Sequence, residues 1–470
     1  MKPRVRFAPS PTGEPHLGFA RTALYNFLFA KSRGGKFLLR IEDTDRERSK
    51  KDYQEKMLSA LRWLGIVWDE EVVYQSKRSA IYSKHIQLLL ETGKAYRCFA
   101  SKDELQKVRK ETNSYLYDGM WRNKSDEEVK EQLKKDTAFT VRLKTPRSGR
   151  SYFEDIIYGD IKVLNDEIDD FIIVRSDGSP VYNLTNVIDD NHMKISHVIR
   201  GEDHLSNTIK QLFIYKALNL KVPQFAHLPM ILGEDRKRLS KRHGAKGLSS
   251  YRDEGYQPEA IINYLAYLGW NPGTNEEIMD LPKLVSKFDL SRVQKKSAIF
   301  DLKKLNWISS QHLVAQANKE IFNSVRILHP NWGVTRSDNY CLKVIKLLKP
   351  RSDTILQLVD LSDYFFSDPK EFSDKDIKVV WGRDTLQIMS DLLKILEHAK
   401  EKEENYFEKE IGLYTKQKEM SFGLVIKPLR LAICGNTSGP SIYDIIKLIG
   451  IETSANRLKY AIEALRYDYV

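Results

Sequence analysis

Short apolar runs alternate along the first ninety residues with segments whose apolar positions recur every three or four residues. Val5 and Phe7 alternate with Arg4 and Arg6, the period of a strand. Ala23, Leu24, Phe27 and Leu28 predict a helix over 22–33. Lys36–Ile41 is apolar almost throughout, as in a strand buried on both faces of a parallel sheet. Tyr53, Met57, Leu61 and Leu64 mark an amphipathic helix over 50–64, stopped by Gly65. Ile81, Tyr82, His85, Ile86 and Leu89 mark another over 78–92, with His85 as a packing residue. A strand over 194–200, a helix near 206–218 and an apolar strand over 225–232 resume the alternation. Strand–helix repetition of this kind predicts a Rossmann-like, doubly wound parallel sheet.

Between 95 and 185 the texture changes. Residues 101–136 are charged, with helical periodicity in places. Short strands are then predicted at Phe139–Leu143, Tyr152–Asp155, Ile161–Val163, Phe171–Arg175 and Val181–Leu184, with a hairpin-type turn at Ser176-Asp177-Gly178. This reads as an α+β module, 96–185, inserted into a sheet domain formed by 1–95 and 186–234. A connecting region, 235–310, holds a helix over 258–268 that opens on Pro258 and turns Ile261, Tyr264, Leu265 and Leu268 inward. From 311 the pattern is helical, clearest at 340–349, 384–399 and 454–467, and Pro350, Pro369 and Gly435 break it into parts at 311–370 and 371–470. The expected fold is multidomain, α/β followed by all-α.

Composition narrows the class. Of 470 residues, 41% are hydrophobic and 30% charged, which suits a soluble globular protein. The balance of 76 basic against 64 acidic residues leaves +12, a surplus suited to nucleic acid, to an acidic membrane face or simply to solubility. Three cysteines make no disulfide framework, so a cytoplasmic location is expected. No apolar run approaches the roughly 20 residues of a spanning helix, and none resembles a signal-peptide core, so no membrane association is expected.

Two loops carry candidate chemistry. The first runs from Phe7 to His16 and Gly18, punctuated by Pro9, Pro11, Gly13 and Pro15. A helix starting there reads either as a plain turn or as an anion site, since free N–H groups and the positive dipole end favour phosphate. The second, Arg236 to Lys246, has six Lys/Arg in eleven positions. It reads as a solvated charged surface or as mobile cations over a nucleotide crevice. Glu42-Asp43-Thr44-Asp45 and Gly201-Glu202-Asp203-His204 stand at strand C-terminal ends, where open α/β sheets bind ligands.

His16-Leu17-Gly18-Phe19 and Arg238-Leu239-Ser240-Lys241-Arg242 resemble the HIGH and KMSKS signatures of class I aminoacyl-tRNA synthetases. Phe19 and Arg238 depart from the usual letters. Arg6–Gly13, Arg40–Asp45, Val198–Asp203 and Pro428–Ile433 resemble bacterial-type glutamyl-tRNA synthetase, in order along the whole chain. The resemblance implies ATP- and Mg²⁺-dependent formation of glutamyl-adenylate from L-glutamate, then transfer of glutamyl to the 3′-terminal adenosine of tRNA(Glu). It implies an ATP site of Pro9, His16, Gly18, Glu202, Asp203, Ile231 and Lys241, with His16, Gly18, Ser240 and Lys241 catalytic. It implies a glutamate site of Arg6, Ala8, Ser10, Glu42, Tyr182, Asn186 and Arg200. The inserted module would bind the tRNA acceptor end, region 235–310 its stem, and the two helical parts its anticodon.

Many relatives carry a zinc knuckle in the inserted module. Here Cys98 has Ala100 at the second cysteine's place, and Tyr117–Arg122 supplies no thiol, so no structural zinc is expected. The strand-poor C-terminal part separates the chain from glutaminyl-tRNA synthetases, whose anticodon domains are β-barrels. A monomer is expected. Two alternatives remain: a non-discriminating enzyme that also charges tRNA(Gln), and a non-catalytic tRNA-binding paralogue. Arg351, in Leu348–Thr354, is the candidate anticodon reader, with a phosphate contact as the other reading.

Overall fold

The computed structural model describes residues 2–45, 49–239, 246–403 and 405–466. Two compact units emerge: Met1–Ser249 with Ile261–Asp301, and Ser250–Ala260 with Leu302–Val470.

The first unit runs β1 (Arg4–Phe7), α1 (Leu17–Ser32), β2 (Lys36–Ile41), α2 (Lys51–Trp63), β3 (Val73–Tyr74), α3 (Ser79–Glu91), β4 (Ala95–Cys98), α4 (Lys102–Thr112), α5 (Asp126–Lys134), β5 (Thr140–Leu143), β6 (Arg150–Asp155), β7 (Gly159–Leu164), β8 (Ile172–Val174), α6 (Tyr182–His192), β9 (His197–Gly201), α7 (Leu205–Ala217), β10 (Gln224–Leu228), β11 (Ile231–Leu232) and, later, β12 (Ala298–Ile299). Seven strands form one sheet in the order β3-β2-β1-β9-β10-β6-β7. Neighbours are parallel except β6 and β7. The strand order reverses between β1 and β9, which opens a crevice at their C-terminal ends. β2 is buried from Phe37 to Ile41, as its apolar run requires.

The inserted segment is tied into this sheet. β4, β5 and β8 make a separate antiparallel sheet. The β6–β7 hairpin instead extends the main sheet, with Asp155 opposite Phe225 of β10. Leu143, Phe153, Ile173, Leu184, Val198 and Phe225 belong to one buried core, so the segment shares its interior with the sheet.

Two local expectations need correction. Val181–Leu184 is no strand: Tyr182 opens α6, where Leu184, Val187 and Ile188 are buried. Their three-and-four spacing is the helical signal, masked by the short run before it. The turn at 176–178 is tight, with Gly178 at φ +82° and Val174 bridged to Pro180, but it leads into this helix. The first helix begins at Leu17 rather than 22, because His16 caps it.

The second unit contains helices and no strand among its described residues. Its core is continuous from Leu313 through Val344, Leu358, Met389 and Ile411 to Leu458. Arg457 ties its last helix down, donating to the carbonyls of Tyr364, Ser367 and Ile433 and pairing with Asp368 at 2.7 Å.

Candidate active site

A cleft of about 1110 Å³ lies at the crevice. Arg6, Ala8, Pro9, Ser10, His16, Gly18, Glu42, Tyr182, Asn186, Arg200, Asp203, Ile231, Arg238 and Leu239 line it. Ser240, Lys241 and Arg242 lie outside the described residues. Arg351 sits in the second unit, exposed in a 3-10 turn over Lys349–Arg351. Glu202 is not part of the lining. Its carboxylate is engaged by the Met230 N–H at 2.8 Å and by the Tyr158 hydroxyl, so it holds backbone at the cleft floor.

At one end of the cleft, α1 presents its N-terminus. His16 Nδ1 accepts the Phe19 N–H at 3.2 Å, satisfying one orphan donor of the first turn. Burial against the cleft walls and the charge of Arg238 lower the His16 pKa, so the ring is neutral at pH 7. With Nδ1 accepting, the ring proton sits on Nε2 and is left for a cleft ligand. A Cβ on Gly18 would meet His16 Cε1 and Nδ1 at 3.1 Å. The glycine therefore makes room for the capping imidazole. Free N–H groups, the helix dipole and a neutral N–H donor together suit a phosphate.

Deeper in, charges are buried in pairs. Arg6 binds Asp190 through Nε and Nη2 at 2.9 and 3.2 Å. Arg40, fully buried, donates to Asp190 at 2.6 Å and to Glu42 at 3.3 Å. Arg78 binds Asp189 at 2.6 Å, and Tyr82 and Gln75 each donate to the same carboxylate at 2.8 Å. Asn186 bridges the set, accepting from Arg6 at 3.1 Å and donating to Glu42 at 2.7 Å. Three guanidiniums thus face three carboxylates. Burial would raise the Asp190 pKa, but Arg6 and Arg40 hold it below the usual carboxylate range. For Glu42 burial prevails and the pKa rises despite Arg40 and Arg6, so Glu42 is the carboxylate most in need of another cation.

Arg200 is the surplus cation. It is 5% exposed and has no carboxylate partner among the described residues. Nη2 donates to Thr208 at 2.6 Å and Gln211 at 2.9 Å, Nε to His227 at 3.2 Å, and Nη1 to the Tyr182 hydroxyl at 3.3 Å. Burial lowers its pKa, yet a guanidinium stays charged. A buried charge without a counterion is costly, which an incoming carboxylate would relieve. Tyr182 and Asn186, one helical turn apart on α6, reach the cleft from the same face. Asp203 folds back over Gly201, where a Cβ would lie 2.4 Å from its carboxylate oxygen.

Asp189, Asp190 and His227 were not singled out as candidates from the sequence. The available signal was two adjacent carboxylates inside an apolar helical repeat, and a histidine inside the apolar strand Phe225–Leu228. Beyond the cleft, Cys98 Sγ lies 3.4 Å from the Tyr117 hydroxyl. Asp170 holds the module's turns, accepting from Tyr96 at 2.8 Å, the Thr145 N–H at 2.8 Å, Arg147 at 3.3 Å and Arg122. No group of three or more His, Cys, Asp or Glu residues that could hold a metal occurs among the described residues.

Two tests follow, the first from the single cysteine of the inserted module, the second from the geometry at Gly18. Elemental analysis should find far less than one zinc per chain, and a chelator should leave the melting curve unmoved; one tightly held zinc would overturn this. Gly18→Ala should displace the His16 ring. The lost cap costs about 1 kcal/mol and alanine's helix propensity returns about as much, so stability should barely change. The His16 pKa, followed by NMR titration, should rise toward its ordinary value. An unmoved titration would show that Gly18 serves no such purpose.

Comparison with known proteins identifies the family. A family model described as tRNA synthetases class I (E and Q), catalytic domain, matches residues 2–307. A second, described as anticodon binding domain, matches 313–462. Glutamate–tRNA ligase 2 of Caldicellulosiruptor saccharolyticus is 42% identical, covering 98% of this chain and 98% of its own. Glutamate–tRNA ligase 1 of Caldanaerobacter subterraneus subsp. tengcongensis is also 42% identical, covering 98% of this chain and 97% of its own. The crystal structure of a glutamate tRNA ligase from Elizabethkingia meningosepticum, in complex with its amino acid, aligns with a TM-score of 0.89 at 36% identity, over 99% of this chain and 100% of that one. The chain belongs to the class I tRNA synthetases, among the glutamate–tRNA ligases.

Proposed function

We propose that the chain activates L-glutamate with ATP to glutamyl-adenylate and passes the glutamyl group to the 3′-terminal adenosine of tRNA(Glu). The observation that carries the choice of amino acid is Arg200, a buried guanidinium in the cleft without a carboxylate partner among the described residues. The glutamate side-chain carboxylate completes it, with the Tyr182 hydroxyl beside it. Arg6, spent on Asp190, orients Asn186 and adds field rather than a free fork. Glu42 takes the α-ammonium, with Ser10 and Ala8 at the same wall. Glutamine would turn an amide donor toward Arg200, a mismatch that costs about 1–3 kcal/mol or more.

The α-carboxylate oxygen then attacks the α-phosphorus, an O–P bond forms, and pyrophosphate leaves. No protein nucleophile is required, so the residues position substrates and meet developing charge. His16 Nε2–H and the α1 N-terminus serve phosphates, Asp203 the ribose, Pro9 and Ile231 the adenosine, and Glu202 acts by fixing Met230. Mg²⁺ arrives with ATP, and no structural zinc takes part. The loop of Arg238, Leu239, Ser240, Lys241 and Arg242 supplies the last cation, Lys241. We further assign acceptor-end binding to 96–185, stem contact to 235–310 and anticodon binding to 311–370 and 371–470. No described helix is long and apolar enough to cross a membrane, and we assign a cytoplasmic monomer.

Pyrophosphate exchange with ATP and glutamate, with and without tRNA, tests the reading. Its absence under both conditions would favour a non-catalytic tRNA-binding paralogue. Lys241→Ala should cut adenylate formation about 100-fold or more while tRNA affinity stays near its original value. An equal loss of tRNA binding would make Lys241 a backbone-phosphate lysine instead.

Arg351 bears on which tRNAs are charged. Its charge acts on Arg430, a buried guanidinium whose Nη1 has no hydrogen-bond partner and whose pKa burial lowers. The donors of the exposed Arg351 guanidinium suit the acceptor edge of cytosine, where a guanine would be too bulky. Arg351→Gln should therefore raise charging of tRNA(Gln) relative to tRNA(Glu). Equal weakening of both would mark a phosphate contact. Comparable charging of both by the unmodified enzyme would mean a non-discriminating form.

A further inference from the structure

Arg200 is held from behind by a second buried pair. Its Nε–H donates to His227 Nε2 at 3.2 Å. An imidazole nitrogen accepts only when it carries no proton. The proton must then be on Nδ1, which donates to Asp155 Oδ2 at 2.6 Å. A carboxylate only accepts, so Asp155 fixes the direction of the whole chain of bonds. Asp155, His227 and Arg200 are 1%, 0% and 5% exposed, so no bulk water reaches the chain to correct a wrong tautomer. Burial and the Arg200 charge lower the His227 pKa and keep the ring neutral against the pull of Asp155. The five N–H donors of Arg200 then divide clearly. Nε and Nη2 are spent on protein, and Nη1, with one N–H on the Tyr182 hydroxyl, keeps its second N–H for a ligand.

Asp155 stands on β6, in the middle segment of the chain, opposite Phe225 on β10. It also accepts the N–H groups of Ile157 and Tyr158 at 2.9 Å, and that of His227 at 3.1 Å. The carboxylate therefore ties the turn of the β6–β7 hairpin and the residue behind Arg200 to one point.

We propose that Asp155 and His227 are positioning residues for substrate recognition: they set an acceptor behind Arg200 Nε and so keep the Nη1 edge turned toward the glutamate carboxylate. This rests on reading Arg200 as the anchor of that carboxylate. A purely structural role for Asp155, tying the hairpin turn, is the rival.

Asp155→Asn separates them. Its amide would donate to His227 Nδ1, move the ring proton to Nε2, and set N–H against N–H at Arg200. The KM for glutamate should rise about 10- to 100-fold, the scale of one buried donor left without an acceptor. The KM for ATP and the affinity for tRNA should stay unchanged. In the double variant Asp155→Asn with His227→Gln, the amide oxygen can accept from Arg200 Nε–H whatever stands at 155, and most of the glutamate KM should return. If Asp155→Asn does not fold, the His227 variants carry the same test. His227→Leu should raise the glutamate KM and His227→Gln should leave it close to that of the original enzyme. A joint rise in both KM values with a lower melting temperature, unrescued in the double variant, would overturn the proposal in favour of the turn anchor. Arg200→Gln is measured alongside. If it leaves the glutamate KM unchanged, the reading of Arg200 fails and the proposal with it. If Arg200→Gln raises that KM while the Asp155 and His227 variants do not, only the positioning proposal is overturned.

Discussion

Asp190 is shared by two arginines from adjacent strands, and the first unit is arranged around that sharing. Arg6 leaves β1 and Arg40 leaves β2, and both end on one carboxylate of α6. Removing Asp190 would strand Arg6, and removing Arg40 would strand Glu42, each a buried charge left unpaired at a loss of about 3–5 kcal/mol. An apolar trio of the same volume could be as stable or more so. The ionic version does something an apolar one cannot. It holds α6 at a fixed height over the strand ends, and so delivers Tyr182 and Asn186 to the cleft. Arg78, Asp189 and Glu42 bring the buried set to three charges of each sign, so Arg200 is left as the local excess, which suits an anion.

The cleft divides its work by charge state. The α1 end uses a neutral donor, His16, whose ring burial and Arg238 keep unprotonated. A phosphate placed there would meet dipoles and N–H groups instead of a fixed side-chain cation, which would hold the ground state as tightly as the reacting state. Of the described cations lining the cleft, Arg6 and Arg200 lie with Tyr182 and Asn186, Arg21 on α1 is spent on the carbonyls of Leu268 and Pro229, and Lys56 pairs with Glu14. That separation suits a reaction in which charge moves away from the α-phosphorus toward the leaving group.

How much of this was legible in the sequence depended on the range of the interaction. β2 announced itself because burial on both faces writes an uninterrupted apolar run. The helix over Lys51–Trp63 did so because one buried face repeats every turn. Glu42 could be placed from its strand end, since strand C-terminal ends define the crevice in any open parallel sheet, whereas Arg6 and Arg200 were placed by the family resemblance. Val181–Leu184 misled because a cap and the first three residues of a helix are too few to show which period they follow. The roles of Asp190, His227 and Asp155 were not legible, because each depends on partners more than seventy residues away. Glu202 shows the same limit. The family resemblance placed it in the ATP site, and only the fold reveals the Met230 N–H and the Tyr158 hydroxyl that occupy it.

The middle segment is the place where fold and site are hardest to separate. Its three-stranded sheet is braced by Asp170, whose pKa the Thr145 N–H, Arg122 and Tyr96 hold low against the opposing effect of burial. Its hairpin strand, however, lies in the main sheet, and Phe153 shares a core with Phe225 and Val198. A segment attached only by loops could vary without consequence for the amino-acid pocket. This one puts a strand beside β10 and a carboxylate behind the pocket's surplus guanidinium. Any shift of the hairpin must therefore be absorbed by the β6–β10 pairing or passed on to Arg200. With these side chains fully packed, the interior is too dense to absorb much.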